Sequence, residues 1–268
     1  MPQSRNYFSD PVAAYDRVAR YYEFLSEARR MYLDSIENLI VLHVPTGSLS
    51  LLDVGGGDGR RALRIAGRAG LQEVVLLEPS VEMARPASSR VEIWALRAEE
   101  LDPGRAPALG RTFDVITCLW NVLGHIRSEK RRRQALDALR AMLSPAGVLL
   151  LDVNHRYNLR SYGAIRTGLR FLRDCLQPSE FNGDVTAKWE LQDLCCSTYG
   201  HVFTDREIRR LMAAAGLKID ERTVVDYGTG QVRRFGFQGN LFYVLRARSS
   251  ASDSARAMQT SSTSASVS

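Results

Sequence analysis

The chain has 268 residues, of which 45% are hydrophobic, and a formal net charge of +6. This length and composition fit one decorated α/β domain with a real core and exclude a disordered chain. No apolar run approaches the ~20 residues that a membrane span needs, so we expect no membrane partner. The first residues lack the apolar stretch of a secretory signal, and the four cysteines have no metal-ligand spacing. We therefore expect a cytoplasmic protein with reduced thiols.

Arginine supplies almost all of the positive charge, and it is spread along the chain rather than collected in one segment. A basic balance of this kind is found in nucleic-acid-binding proteins and on ordinary solvated helix faces. The even spread favours solvated helix faces. A nucleic-acid partner is therefore possible but not favoured.

Residues 1–46 carry apolar and aromatic side chains at helical spacing, among them Tyr15, Val18 and Tyr22. The spacing predicts two helices that stop near Pro45.

A glycine cluster divides a strand from a helix at the start of the next segment. The apolar residues 49–54 predict a strand, and helix formers follow from Arg60. A strand, a glycine turn and a helix bring backbone N–H groups close to a ligand. Arg60 stands at the third glycine position of a dinucleotide fingerprint, which disfavours an NAD-linked oxidoreductase. The pattern acidic-x-Gly-x-Gly-x-Gly, by contrast, is complete: Asp53, Gly55, Gly57 and Gly59.

That pattern is typical of class I S-adenosylmethionine (SAM)-dependent methyltransferases, and the chain resembles this family from here on. The resemblance implies a Rossmann-like, seven-stranded α/β sheet with helices on both faces and an antiparallel last strand. It implies a helical lid at 1–46, a SAM-binding core at 47–153, a substrate-covering insertion after strand five at 154–200 and the remaining core at 201–248. The residues implied to bind SAM are Asp53, Gly55, Gly56, Gly57, Glu78, Pro79, Ala98, Glu99 and Leu119.

The resemblance also implies that the ends of the second and third strands contact the nucleoside. Residues 73–78 read as a buried parallel strand that ends in Glu78. An acid at this position accepts both ribose hydroxyls of an adenosine cofactor, and it matches the family's ribose-binding acid. Residues 91–96 form a third strand that leads to Arg97, which stands where the family commonly has aspartate. Ala98 and Glu99 remain to contact the adenine.

The fourth and fifth strands, 113–120 and 148–153, end where an open parallel sheet binds its ligands. Histidine suits proton removal near neutral pH, so His125 and His155 are the candidate bases. The alternative for each is the more common role of a histidine in a strand-end loop, which is to bond a backbone carbonyl and shape the pocket. Four further side chains are expected to line the substrate pocket: Tyr22, Trp120, Asn121 and Tyr157.

The remaining segments carry weaker signals. A basic helix is expected at 159–175 within the insertion. Thr204 and Glu207 form a capping box for a helix that ends near Gly216. Residues 217–227 and 237–246 read as a closing antiparallel strand pair. Residues 249–268 are a Ser/Ala/Thr tail, which we expect to be disordered.

The sequence thus predicts an enzyme that moves the methyl group of SAM to an oxygen or nitrogen of a small molecule by in-line displacement. Two alternatives stay open: a tRNA or protein methyltransferase, and a non-catalytic SAM-binding scaffold. No cluster has metal-ligand spacing, so no metal site is predicted. The oligomeric state and the acceptor are undetermined.

Overall fold

The computed structural model describes residues 10–191 and 194–248. The strands are β1 (Ser50–Val54), β2 (Glu73–Leu77), β3 (Glu92–Trp94), β4 (Phe113–Cys118), β5 (Leu143–Val153), β6 (Asp184–Leu191), β7 (Leu194–His201), β8 (Leu217–Val225), β9 (Val232–Arg233) and β10 (Asn240–Ala247). The α-helices are α1 (Pro11–Val18), α2 (Tyr22–Glu27), α3 (Arg30–His43), α4 (Arg60–Ala69), α5 (Val81–Ala84), α6 (Val122–His125), α7 (Glu129–Ala141), α8 (Leu159–Tyr162), α9 (Ala164–Leu176) and α10 (Asp205–Ala214).

Eight strands form one mixed sheet in the order β3-β2-β1-β4-β5-β10-β8-β9. The first five run parallel, and β10 pairs antiparallel with both β5 and β8. The predicted antiparallel last strand is confirmed, whereas the predicted count of seven is one too low. The additional strand, β9, pairs with β8 through two residues only. Two residues are too few for an alternation pattern to reveal a strand.

The sheet is covered on both faces because its central strands are apolar on both sides. Leu52 packs in a core with residues of α7 and α10, whereas its neighbour Leu51 packs with residues of α3 and α4. Successive side chains of a strand point to opposite faces, which explains why adjacent leucines belong to different cores. This arrangement leaves the carboxyl ends of the parallel strands open to a ligand.

The segment after β5 folds differently from the expected single helix. Gly163 takes a left-handed φ of 76° and separates α8 from α9. Strands β6 and β7 then form a separate two-stranded hairpin, which was not among the predicted elements. Its residues Leu194 and Cys196 pack on Val18 of α1, so the hairpin lies against the N-terminal helices.

The base of the hairpin is hydrogen-bonded to helices α7 and α10 through buried side chains. The His201 ring is fully buried, with Nδ1 at 2.6 Å from Asp184 and Nε2 at 2.7 Å from Glu207 of α10. Arg132 of α7, also buried, donates to the Tyr199 hydroxyl at 2.6 Å. Buried polar groups need hydrogen-bond partners, and these bonds hold the hairpin against α7 and α10.

None of the described helices is long and apolar enough to cross a membrane. The predicted disordered tail at 249–268 and the first nine residues of the predicted lid lie outside the described residues. The functional division into lid, core and covering insertion stays a prediction.

Candidate cofactor and acceptor site

The glycine loop between β1 and α4 has the backbone that its sequence requires. Gly55, Gly57 and Gly59 have left-handed φ values of 64°, 57° and 72°, which other residues adopt only at a cost. Space is also restricted, because a Cβ at Gly59 would lie 2.7 Å from that of Ala87 and one at Gly55 would collide with Val122. The loop is therefore a tight turn whose backbone can approach a ligand closely.

Glu78, directly after β2, is hydrogen-bonded to this loop. One carboxylate oxygen accepts from the Gly57 N–H at 3.0 Å and the other from the Ser80 N–H at 2.9 Å. Burial raises the pKa of this carboxyl, while the two backbone donors act against that rise. Each oxygen has accepted one bond and retains capacity for another. The carboxylate can thus accept bonds from two neighbouring hydroxyl groups at once.

A cavity lies over the loop and Glu78 and opens to solvent. Most of the residues that the sequence predicted for the site line it together: Gly55, Gly57, Glu78, Pro79, Ala98, Glu99, Leu119, Tyr22, Trp120 and His125.

Two predicted cofactor residues lie beneath the loop and do not line the cavity. Asp53 is fully buried and accepts a bond from the Thr117 hydroxyl at 2.6 Å. Gly56 is buried against Leu76, whose Cδ2 atom would be 2.7 Å from an added Cβ. Both residues therefore pack under the loop, on the side away from the cavity.

Arg61, in the first turn of α4, lines the cavity and was missed from the sequence. Its side chain is only 11% exposed, and Nη2 lies 3.3 Å from the Asp53 carboxylate. Its Nε atom has no hydrogen-bond partner among the described residues. The arginine brings a positive charge to the end of the cavity nearest β1. A signal was present: an arginine two residues after the last glycine of the loop and eight residues after Asp53.

Arg97 also lines the cavity, but its guanidinium turns to the N-terminal segment. It donates to Asp10 at 2.6 Å, immediately before α1. Two residues of α1, Pro11 and Val12, border the same cavity. The departure from the family's usual aspartate thus gives α1 an anchor beside Ala98.

Tyr15 of α1 and His125 of α6 form a hydrogen-bonded pair on the cavity wall. The Tyr15 hydroxyl is 3.0 Å from Nε2 of His125, and Nδ1 is 3.0 Å from the Tyr199 carbonyl oxygen of β7. A carbonyl only accepts, so Nδ1 carries the proton and Nε2 accepts from Tyr15. Burial lowers the pKa of His125, which keeps the ring neutral near pH 7, and raises that of Tyr15. The site therefore holds a neutral imidazole bonded to a phenol.

Trp120 and Asn121 have φ values of 56° and 62°, two consecutive left-handed residues that follow β4 after Leu119. Such strain persists only where neighbouring groups enforce it. The buried Asp152 carboxylate accepts from the Trp120 N–H, and the indole donates to the Tyr227 hydroxyl at 3.1 Å. The indole ring then lies 5.7 Å from the Tyr22 ring, between ring centroids. Together the two rings make an aromatic wall of the cavity.

Three predicted site residues are placed elsewhere. The Asn121 side chain points away from the cavity and bonds the His201 carbonyl at 3.1 Å. His155 donates to the Gly236 carbonyl at 2.8 Å, and Tyr157 donates to Asp174. The chain after β5 pairs with Phe203, through Arg156 N–H at 2.7 Å, and this pairing directs it away from the cavity. Of the two candidate histidines, only His125 borders the cavity.

Among residues 10–191 and 194–248, no three His, Cys, Asp or Glu side chains come together as a metal site would require.

The sheet, the glycine loop and Glu78 over one cavity define a Rossmann-like fold of the methyltransferase type. The family model described as "Methyltransferase domain" matches residues 14–222. The chain belongs to this family, and the predicted class I SAM-dependent methyltransferase recognition and fold are confirmed.

The curated relatives that the chain matches are also methyltransferases by name. The chain is 32% identical over 121 residues to a glycine/sarcosine N-methyltransferase of Halorhodospira halochloris, covering 44% of each. It is 29% identical over 147 residues to a dTDP-3-amino-3,6-dideoxy-alpha-D-glucopyranose N,N-dimethyltransferase of Streptomyces fradiae, covering 53% of this chain and 55% of that one. It thus matches about half the length of these curated relatives. The CcbJ methyltransferase of Streptomyces caelestis shares the fold, with a TM-score of 0.62 and 17% identity over 88% of this chain and 98% of that one.

Proposed function

We propose that the protein is a SAM-dependent methyltransferase that methylates an amine nitrogen of a small molecule. The observation that supports it best is the cavity shared by the glycine loop, Glu78 and the Tyr15–His125 pair. In this proposal Glu78 accepts the ribose hydroxyls, and the backbone at Ala98 and the Glu99 side chain face the adenine. The Arg61 guanidinium takes the carboxylate of the methionine part, because it is the cationic group at the β1 end of the cavity.

SAM supplies a methyl group already activated by its sulfonium, so the protein needs no strong nucleophile of its own. An amine acceptor is a cation near pH 7 and has no lone pair until it loses a proton. The Tyr15 phenol and the His125 imidazole provide a route for that proton. As the phenol takes a proton from the ammonium, it passes its own to Nε2, and the ring becomes imidazolium.

The freed lone pair then attacks the methyl carbon. The new nitrogen–carbon bond forms as the carbon–sulfur bond breaks, and the bonding electrons stay on sulfur as a neutral thioether. Tyr22 and Trp120 hold the acceptor in line and exclude water. The faces of these two rings also attract a cationic amine. A neutral hydroxyl acceptor would not be attracted in this way.

The printed names of two relatives support nitrogen as the acceptor atom, because one acts on glycine or sarcosine and the other on an amino sugar. These names guide the choice of test substrates. We expect the acceptor to be a small primary or secondary amine.

The test has two stages, which separate the cofactor from the acceptor. Calorimetry with SAM, S-adenosylhomocysteine and NAD comes first, and binding of NAD without SAM would overturn the proposal. A panel of amines, including amino acids and nucleotide-linked amino sugars, is then incubated with SAM beside matched hydroxyl analogues. Mass spectrometry detects the methylated product. Methylation of the hydroxyl analogues alone would overturn the assignment to nitrogen while leaving SAM binding intact.

A further inference from the structure

Helix α9, in the insertion after β5, carries a stripe of exposed aliphatic side chains. Ile165, Leu169, Leu172 and Leu176 are 83%, 64%, 53% and 71% exposed. Their spacing of four, three and four residues puts them in one line along the helix. This is also the spacing of the a and d positions of a coiled coil.

The stripe points away from the body of the protein. The opposite side of α9 holds the buried Thr167, and Asp174, which accepts from Arg156 at 3.0 Å. At ~100° per residue, the four aliphatic residues span only about 60° of the helix circumference. A helix that lies in a lipid surface presents a broad apolar face, whereas a narrow line is the seam between two helices. The stripe therefore fits a partner helix better than a bilayer.

The two edges of the stripe differ. Arg166 and Arg173 stand on one edge, and neither has an ion-pair partner among the described residues. Gly168 and Cys175 stand on the other edge, and both are small. Glu180, which lines a groove with Cys175, lies beyond that second edge.

This difference selects the orientation of a matching helix. In an antiparallel pair the like edges meet, so the arginines of two identical helices would repel each other. In a parallel pair the unlike edges meet. The arginines of one helix then pass over the small residues of the other and approach its Glu180.

We propose that α9 is the centre of a symmetric homodimer, in which two copies of α9 pack in parallel along the Ile165–Leu176 stripe. A stable interface buries about 800 Å² per partner, more than four aliphatic side chains supply. Phe181, which follows the helix, is 58% exposed and adds to the apolar surface of this region. The proposal is independent of methyl transfer.

Sedimentation equilibrium of the full chain tests the proposal. We expect the wild type to have twice the 30.0 kDa chain mass at micromolar concentration. Leu172→Glu would place an unpaired charge in the seam and should raise the dimer dissociation constant at least about tenfold. The matched control is Leu42→Glu on α3, where the leucine is 74% exposed, and this variant should remain dimeric. A monomeric wild type, or a dimer that resists Leu172→Glu, overturns the proposal.

Cross-linking tests the orientation. In a parallel pair each Leu172 faces its own copy, so Leu172→Cys should form an intermolecular disulfide under mild oxidation. Cys175 and Cys195, the exposed native thiols, are replaced by serine in this variant, and Leu42→Cys in the same background is the control. Absence of the Leu172→Cys cross-link overturns the parallel pairing. Binding of a monomeric wild type to anionic lipid vesicles would assign the stripe to a membrane surface instead.

Discussion

Glu78→Gln is the sharpest test of the cofactor site, because it removes a charge and changes the side-chain volume little. Hydrogen bonds to a charged group contribute roughly 1.5–3 kcal/mol and neutral ones about 0.5–1.5 kcal/mol. For two ribose hydroxyls the difference is about 2–3 kcal/mol, or roughly 30- to 150-fold in the dissociation constant. We expect a loss of this size for S-adenosylhomocysteine, measured by calorimetry.

The substitution also disturbs the loop, since Glu78 accepts from Gly57 and Ser80. The same titration with the 2′,3′-dideoxy analogue separates the two effects, because a disturbed loop weakens both ligands equally. The wild type should discriminate strongly between the ligands, and Glu78→Gln should discriminate weakly. Glu82→Gln, an exposed acid on α5 that pairs with Arg85, is the control. Equal discrimination by wild type and Glu78→Gln would refute the ribose assignment.

Burial raises the pKa of Glu78 above its ordinary 4.5, so the affinity for S-adenosylhomocysteine should fall as the pH drops through that raised value. A protonated carboxyl accepts bonds less well, and the glutamine variant should lack this decline. If the wild-type affinity for S-adenosylhomocysteine stays constant on acidification, this expectation is contradicted.

Three other predictions concern separate parts of the chain. His125→Asn should lower kcat about 10²- to 10⁴-fold without changing SAM affinity, and wild-type activity should decline as the pH falls through the lowered pKa of His125, below 6.5. The control is His43→Asn, a partly buried histidine on α3 that does not line the cavity. An unchanged kcat of His125→Asn would argue against the proton route. Arg61→Met should weaken SAM binding at least about tenfold but leave the affinity for decarboxylated SAM nearly unchanged. Arg60→Met is the control for the loss of a positive charge. Equal losses of affinity for both ligands in Arg61→Met would exclude the carboxylate contact. Thr204→Ala removes the capping bond to the Glu207 N–H at 3.1 Å. The variant should lose about 0.5–2 kcal/mol of unfolding free energy, measured by urea titration. An unchanged urea midpoint would contradict this expectation.

The part of the site closest to β1 and β2 was predictable because its contacts are local. Gly55, Gly57 and Gly59 specify a turn by their own backbone freedom. Glu78 follows a strand whose apolar pattern is plain, and parallel pairing with β1 brings that acid to the loop. The capping box at Thr204 was confirmed for the same reason, since both of its members lie within one turn.

The acceptor side was less predictable. Residues Asp184–Leu191 alternate polar and apolar side chains, a strand signal that was missed, whereas Leu194–His201 have no such alternation. The Tyr199 carbonyl that fixes the tautomer of His125 belongs to this hairpin. Tyr15 reaches the same histidine across 110 residues of sequence. Sequence spacing does not specify contacts of this range, because they depend on how α1 and the hairpin pack together.

The two candidate histidines show where the sequence alone stops. It determined that both follow strands of a parallel sheet, and it predicted that the glycine loop and Glu78 form a nucleoside site. Only the tertiary structure decided between them: His125 lies in a short helix beside the cavity, whereas His155 is held by Gly236 and by the pairing of its neighbours with Phe203. A strand fixes where the chain leaves the sheet, but the packing of later segments fixes where the side chains after it point.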